Sequence, residues 1–130
     1  MSSDMQVVDS CGWIDYLEGG SHRASFRPII HDTEHLMVPA IIFYEVFKYF
    51  KRSYSDQDAC QAAFAMKEAR QIQIDHVLAF QAADLALEHD LAMGDALILA
   101  TARAYYATLH TLDRHFEGIE GVELHRSKPQ

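Results

Sequence analysis

The run Leu36-Met37-Val38-Pro39-Ala40-Ile41-Ile42-Phe43-Tyr44-Glu45-Val46-Phe47-Lys48-Tyr49-Phe50-Lys51-Arg52 reads as a strand followed at once by a helix. Residues 36–38 are wholly apolar, and Pro39 ends them because it offers no ladder donor. Residues 40–52 are mostly apolar but too long for an ordinary strand, so they are predicted as a buried helix. Upstream, residues 5–8 form a first short strand, broken by Asp9-Ser10. Helical material follows with Trp13, Ile14 and Leu17, stopped by Gly19-Gly20, and residues 22–30 suit another short helix.

Downstream, Ser55 or Asp56 is placed to cap a helix over 57–69 whose apolar side carries Phe64 and Met66. Ile72 and Ile74 alternate with Gln71 and Gln73 as a strand would. Helices are expected over 76–88 and 95–106, a strand over 108–112, a helical turn over 113–116 and an edge strand over 122–124. Strands alternating with helices at this spacing predict an α/β fold with a parallel sheet covered on both faces. No Pro/Gly/Ser linker divides the 130 residues, so a single domain over 1–130 is expected. No apolar run reaches the roughly 18 residues of a membrane span, and the N-terminus lacks a secretory pattern. A cytoplasmic protein with reduced, partly buried Cys11 and Cys60 is expected.

In open parallel sheets the ligand site lies beyond the carboxyl ends of the strands, where the strand order reverses. Asp9 directly follows the first strand, Asp113 directly follows the strand over 108–112, and Asp95 opens a helix after Gly94. Each also precedes helical residues and suits an N-cap. Glu45 stands in a helix that is otherwise apolar almost all round. Either it emerges on a wet stripe shared with Lys48 and Arg52, or it is buried and needs a cation to relieve it. Four carboxylates gathered at one rim repel one another unless a cation stands between them. Hard ions such as Mg²⁺ or Mn²⁺ take oxygen ligands of this kind, and one or two of them can activate water against a phosphodiester.

Four segments carry a resemblance: Val7-Val8-Asp9-Ser10, Pro39-Ala40-Ile41-Ile42-Phe43-Tyr44-Glu45-Val46, Asp95-Ala96-Leu97-Ile98-Leu99-Ala100-Thr101-Ala102, and Thr111-Leu112-Asp113-Arg114-His115-Phe116. In order and spacing the chain resembles PIN domains, most closely the VapC-like ribonuclease toxins. The resemblance implies a parallel, roughly five-stranded α/β/α sandwich and a Mg²⁺- or Mn²⁺-dependent endoribonuclease. It implies Asp9, Glu45, Asp95 and Asp113 as catalytic metal ligands, supported by the hydroxyls of Ser10 and Thr111. It also implies a homodimer inhibited by an antitoxin protein whose C-terminal segment covers the catalytic groove. Cys11, where the family more often has a small polar residue, and Leu99, at a usual alanine position, depart from the pattern. A PIN nuclease of RNA processing and a non-catalytic acidic module that receives a basic peptide are the alternatives.

The charge balance runs against a polyanionic substrate: nineteen acids face eleven Lys and Arg, for a net charge of −8. Setting aside the four rim acids leaves fifteen against eleven, so RNA must be held by local bases. Lys48, Lys51, Arg52 and Arg114 are the candidates for phosphate contacts. The eight histidines include no His-Glu-x-x-His, and they read as scattered over the surface, with His115 nearest the rim. No Gly-rich phosphate loop or nucleophile elbow is present, and Tyr44, Tyr49, Tyr105 and Tyr106 read as core or dimer packing.

Overall fold

The computed structural model describes residues 4–126. Five strands form one sheet: β1 (Gln6–Val8), β2 (Leu36–Pro39), β3 (Arg70–Ile72), β4 (Thr108–Thr111) and β5 (Val122–Leu124). Their order is β3-β2-β1-β4-β5, and every pairing is parallel. Six α-helices connect them: α1 (Ser10–Glu18), α2 (Arg23–His31), α3 (Ala40–Ser53), α4 (Asp56–Met66), α5 (His76–His89) and α6 (Met93–Ala104). A 3-10 turn, Arg114–Phe116, follows β4.

Side chains alternate between the faces of a sheet, so a strand buried at consecutive positions must be covered on both. All four residues of β2 are buried, as are Val7 and Val8 of β1. The sheet is therefore the middle layer of an α/β sandwich. Trp13, Phe26, Met37, Ile42, Ile98, Leu99 and Phe116 are among its fully buried large side chains. Each such residue contributes roughly 1.5–3 kcal/mol by leaving water.

Several boundaries differ from the sequence reading for physical reasons. β3 pairs through Arg70, Gln71 and Ile72 with Met37, Val38 and Pro39, and Ile74 falls outside the ladder. Asp75 then caps α5, accepting from the Leu78 N–H at 2.9 Å. Ser55 is the cap of α4, accepting from Asp58 N–H at 3.0 Å. Phe64 is 73% exposed rather than on the buried side, which α4 builds from Ala59, Ala62 and Met66. Helix α6 ends at Ala104, and two residues on Tyr106 takes a left-handed conformation with φ 55°. Tyr106 is 94% exposed and Tyr44 58% exposed, so neither is a core residue. Cys60 is likewise exposed, and both cysteines are free.

No helix among the described residues is long and apolar enough to cross a membrane. Gly12 of α1 packs tightly against Val8 of β1 and Phe26 of α2. A Cβ built on Gly12 falls 2.7 Å from Val8 Cγ1 and 2.9 Å from Phe26 Cε1 and Cζ. Both neighbours are fully buried and have nowhere to move. The overpacking in Gly12→Ala is therefore expected to cost about 1–3 kcal/mol. That exceeds or cancels the gain of about 1 kcal/mol that Ala has over Gly in a helix. Urea denaturation of the two proteins checks this: a more stable alanine variant shows that the seam has slack.

Candidate functional site

In this strand order the chain leaves β1 for β2 and β3 on one side and returns to β4 and β5 on the other. The reversal lies between β1 and β4, and Asp9 and Asp113 follow those two strands. Helix α6 leads into the start of β4, so its own N-terminus lies toward the opposite, carboxyl edge. That brings Asp95, in the first turn of α6, to the same rim. Helix α3 starts where β2 ends and carries Glu45 in its second turn.

Asp9 is the buried member, 3% exposed, and its two oxygens are held by different neighbours. Oδ1 accepts from the Ser10 backbone N–H at 2.7 Å and lies 3.3 Å from Ser10 Oγ. Oδ2 accepts from the Thr111 hydroxyl at 2.8 Å and from the Cys11 thiol at 3.5 Å. Thr111 Oγ1 in turn accepts the Asp113 N–H at 3.0 Å, so one hydroxyl ties β1 to the loop after β4. Ser10 Oγ also donates to Glu45 Oε1 at 2.8 Å, joining α1 to α3. Glu45 is therefore half-buried against α1, not out on a wet stripe with Lys48 and Arg52.

Asp9 and Asp113 do act as caps, the latter accepting from the His115 N–H at 2.9 Å. Asp95 does not cap α6: the capping position is Ala92, with no side-chain bond, and the helix starts at Met93. Burial pushes the Asp95 carboxyl up to about 6, and the charges of Asp9, Asp113 and Glu45 add to the rise. Burial also raises Asp9, against the lowering effect of its hydrogen bonds, and raises Glu45. The charges of the other three acids all reach Asp95, and that of Asp9 also reaches Glu45. Their donor atoms form a loose array, not a tight cluster. Among the described residues the group whose donor atoms all lie within 4.8 Å of one another is His110, Glu123 and His125.

Three features escaped the sequence reading. Gly94 is not a mere helix boundary: a Cβ there would stand 2.6 Å from Glu45 Oε2, so its lack of a side chain admits the carboxylate. Cys11 is part of the rim; burial and then the charge of Asp9 push its thiol up to about 12, and it stays a neutral donor. The histidines are not all scattered over the surface, since His110 is 5% exposed within β4, where burial lowers it to about 4. The one available signal was the period-2 spacing of Glu123 and His125.

The named bases are all exposed. Lys48 Nζ lies 5.4 Å from the Tyr44 ring centre and 3.4 Å from its hydroxyl. Lys51 pairs with Asp56 at 3.0 Å, and Arg114 lines a cleft with His22, Leu112 and His125. His115 Nδ1 lies 2.8 Å from Asp113 Oδ1.

The five-stranded parallel α/β fold is that of a known family. The PIN domain family model matches residues 7–122, and the chain belongs to that family. Among solved structures it is similar to a chain of a toxin–antitoxin complex from Klebsiella pneumoniae. Identity there is 25% and the TM-score 0.75, over 91% of this chain and 95% of that one. Mycobacterium tuberculosis VapC20, a sarcin–ricin-loop-cleaving toxin, is similar at 18% identity and TM-score 0.73, over 88% of this chain and 94% of that one. DNA-bound VapBC from Salmonella typhimurium gives 16% identity and TM-score 0.74, over 93% and 96%. No curated protein matches the chain.

Two expectations follow from the rim. Thr111→Val removes a donor from buried Asp9 and an acceptor from Asp113 N–H, at a cost of about 1–3 kcal/mol for the stranded groups. Thermal and urea denaturation measure it; unchanged stability means that Asp9 has found another donor.

The Asp95 shift also sets a pH dependence in metal-free buffer. The unfolded carboxyl ionises near 3.8 and the folded one near 6, so between these values the folded chain holds more protons. The group's contribution to stability is thus full below the lower value and falls as pH rises through the upper. Asp95→Asn should stabilise the metal-free protein at pH 7 more than at pH 4. Denaturation across that range checks the sign, and a pH-independent difference contradicts it.

Proposed function

We propose that this PIN domain is a metal-dependent endoribonuclease and the toxin of a toxin–antitoxin pair. It acts in the cytoplasm as one unit over 1–130 and assembles as a homodimer. The observation that carries the reading is the delivery of Asp9, Glu45, Asp95 and Asp113 to the switch-point rim, where Asp95 is raised to about 6 by burial and by the other three acids. Such a rim suits a cation. Its donor set is all oxygen, which matches Mg²⁺ or Mn²⁺ rather than a softer ion.

Asp9, Glu45, Asp95 and Asp113 are the residues that would hold one or two such ions. When bound, a divalent ion supplies charge neutralisation at a phosphodiester and a lowered pKa for water. The chain's own groups do the positioning. Ser10 and Thr111 fix the two oxygens of Asp9 in opposite directions, and Ser10 holds Glu45 in the same bond system. Gly94 lets α6 approach Glu45 closely, which sets the spacing between the first turn of α6 and α3.

Helices α1 and α6 also begin at the rim, so the positive ends of their dipoles favour a phosphate there. Exposed Lys48, Arg52 and Arg114 are the bases placed to contact the rest of the backbone. Lys51 is held by Asp56 in an exposed pair, which is weak enough for phosphate to displace. An antitoxin partner is supported by the toxin–antitoxin complex from Klebsiella pneumoniae at 25% identity. The RNA class is supported by the acids' chemistry and by the printed activity of VapC20, whose 18% identity to this chain speaks for the fold.

The test is cleavage of total bacterial RNA by the purified, partner-free protein in Mn²⁺. Discrete fragments are expected, abolished by chelator and reduced at least about 100-fold by Asp95→Asn. That is the upper end of what losing even an outer partner of a metal costs. Fragments that persist in both controls overturn the metal-nuclease reading. Absence of both cleavage and carboxylate-dependent Mn²⁺ binding supports a binding module for a basic peptide instead.

A further inference from the structure

His110 and Glu123 are directly opposed in the parallel pairing of β4 and β5, so their side chains share a face of the sheet. His125 follows Glu123 by two residues and returns to the same face. Its backbone N–H donates to the Thr111 carbonyl at 2.8 Å, which keeps it in register just past the end of β5. The result brings two imidazoles and a carboxylate together, with one ligand atom from each inside a mutual distance of 4.8 Å.

The rings are oriented as well as close. His110 Nε2 is bonded to Gln6 Oε1, and an amide oxygen can only accept, so the proton of this neutral imidazole sits on Nε2. Nδ1 is left with a lone pair and accepts from His125 Nε2–H at 2.9 Å, with Glu123 Oε2 3.6 Å away, so an ion seated here takes the place of the His125 Nε2 proton. A carbonyl partner on the far nitrogen is the arrangement that fixes tautomer and ring direction in metal-ligating histidines. His125 is fixed from behind by Phe26, whose ring stacks on it at 4.6 Å and 28°. Around a tetrahedral ion with bonds of about 2.0–2.1 Å, two nitrogens stand roughly 3.3 Å apart. The pair needs to open by only a few tenths of an ångström, and Glu123 is already near that spacing.

We propose that His110, Glu123 and His125 form a second cation site, specific for Zn²⁺ and distinct from the carboxylate rim, with Gln6 as its positioning residue. Two imidazoles and a carboxylate are borderline donors that favour Zn²⁺ over Mg²⁺ or Mn²⁺. Three protein ligands leave a fourth position for water or for a donor from another molecule. The site clamps the outermost strand β5 to β4 immediately beside Thr111, the residue whose hydroxyl holds Asp9. It rests on residues that the proposed cleavage chemistry does not use, so it stands or falls independently of that reading.

Zn²⁺ titration by calorimetry, with Co²⁺ as a visible-absorption probe of tetrahedral geometry, tests the site on the full chain. Asp95→Asn should keep one tight Zn²⁺ and the Co²⁺ band, because the rim is not involved. His125→Gln and Glu123→Gln should each weaken Zn²⁺ by about 10-fold or more and remove the band. Gln6→Met should weaken it by about 10–100-fold with the ligands intact. Glu123 lies with its side chain 64% exposed, so Glu123→Gln stays informative even if a histidine variant fails to fold. Loss of the site in Asp95→Asn places the ion at the rim and overturns the proposal. So does Zn²⁺ affinity that is absent or indifferent to Glu123 and His125, which reduces the cluster to a hydrogen-bonded histidine pair.

Discussion

Parallel strands cannot be joined by a tight turn, so every link between neighbouring strands must cross a face of the sheet. Here three of the four links are pairs of α-helices and the fourth carries a 3-10 turn; together they cover both faces, which is why β2 is buried at four consecutive positions. The same constraint sets where polar chemistry can gather. Each crossover starts at the carboxyl edge of the sheet and ends at the amino edge. Between β1 and β4 the strand order turns back and two connections leave in opposite directions, the position where open parallel sheets bind ligands. Asp9, Asp113, the N-terminus of α6 and the early turns of α3 all arrive there as a consequence of topology.

That convergence has an electrostatic cost, and the local hydrogen bonds answer part of it. Asp9 would be an expensive buried charge if it were alone. Thr111, Ser10 and Cys11 supply it with donors from β4 and α1. Asp95 has no such set, and burial together with the charges of Asp9, Asp113 and Glu45 raises it to about 6. The two classes of polar cluster in the molecule therefore differ in kind. The rim is an array of oxygens, whereas His110 and His125 are imidazoles joined by a hydrogen bond, one oriented by Gln6 and the other packed on Phe26.

The acidic balance of the chain bears on how such a rim meets a polyanion. An overall charge of −8 does not attract RNA, so on the function proposed above the attraction would have to be local. The exposed bases lie on α3 and in the 3-10 turn after β4, the two elements that flank the acids. This places cations beside the rim rather than within it, where they would compete with a metal for the carboxylates.

Much of this was legible in the residues. The apolar run over 36–52, broken by Pro39, announces a strand and a helix, although α3 buries one face through Ile42, Val46 and Phe50 and leaves Tyr44 and Lys48 exposed rather than being buried all round. Asp9 and Asp113 stand out because each follows such a run directly, and Glu45 because it interrupts one. What misled were features decided by neighbours far along the chain. Phe64 belongs to a helix whose pattern allows it inside, yet small alanines take the buried side. Ile74 continues an alternation that β2 is too short to pair.

By itself the sequence determined the kind of layers, the order of strands and helices along the chain, and the acids at strand ends, since these follow from local periodicity and from the cost of burying charge. Only the tertiary structure decided that the Glu45 carboxylate rests against Gly94, that the Thr111 hydroxyl holds Asp9, and that His110 is buried against Gln6 beside His125. Those facts depend on approaches between residues tens of positions apart, and a distance across the fold has no signature in the spacing along the chain.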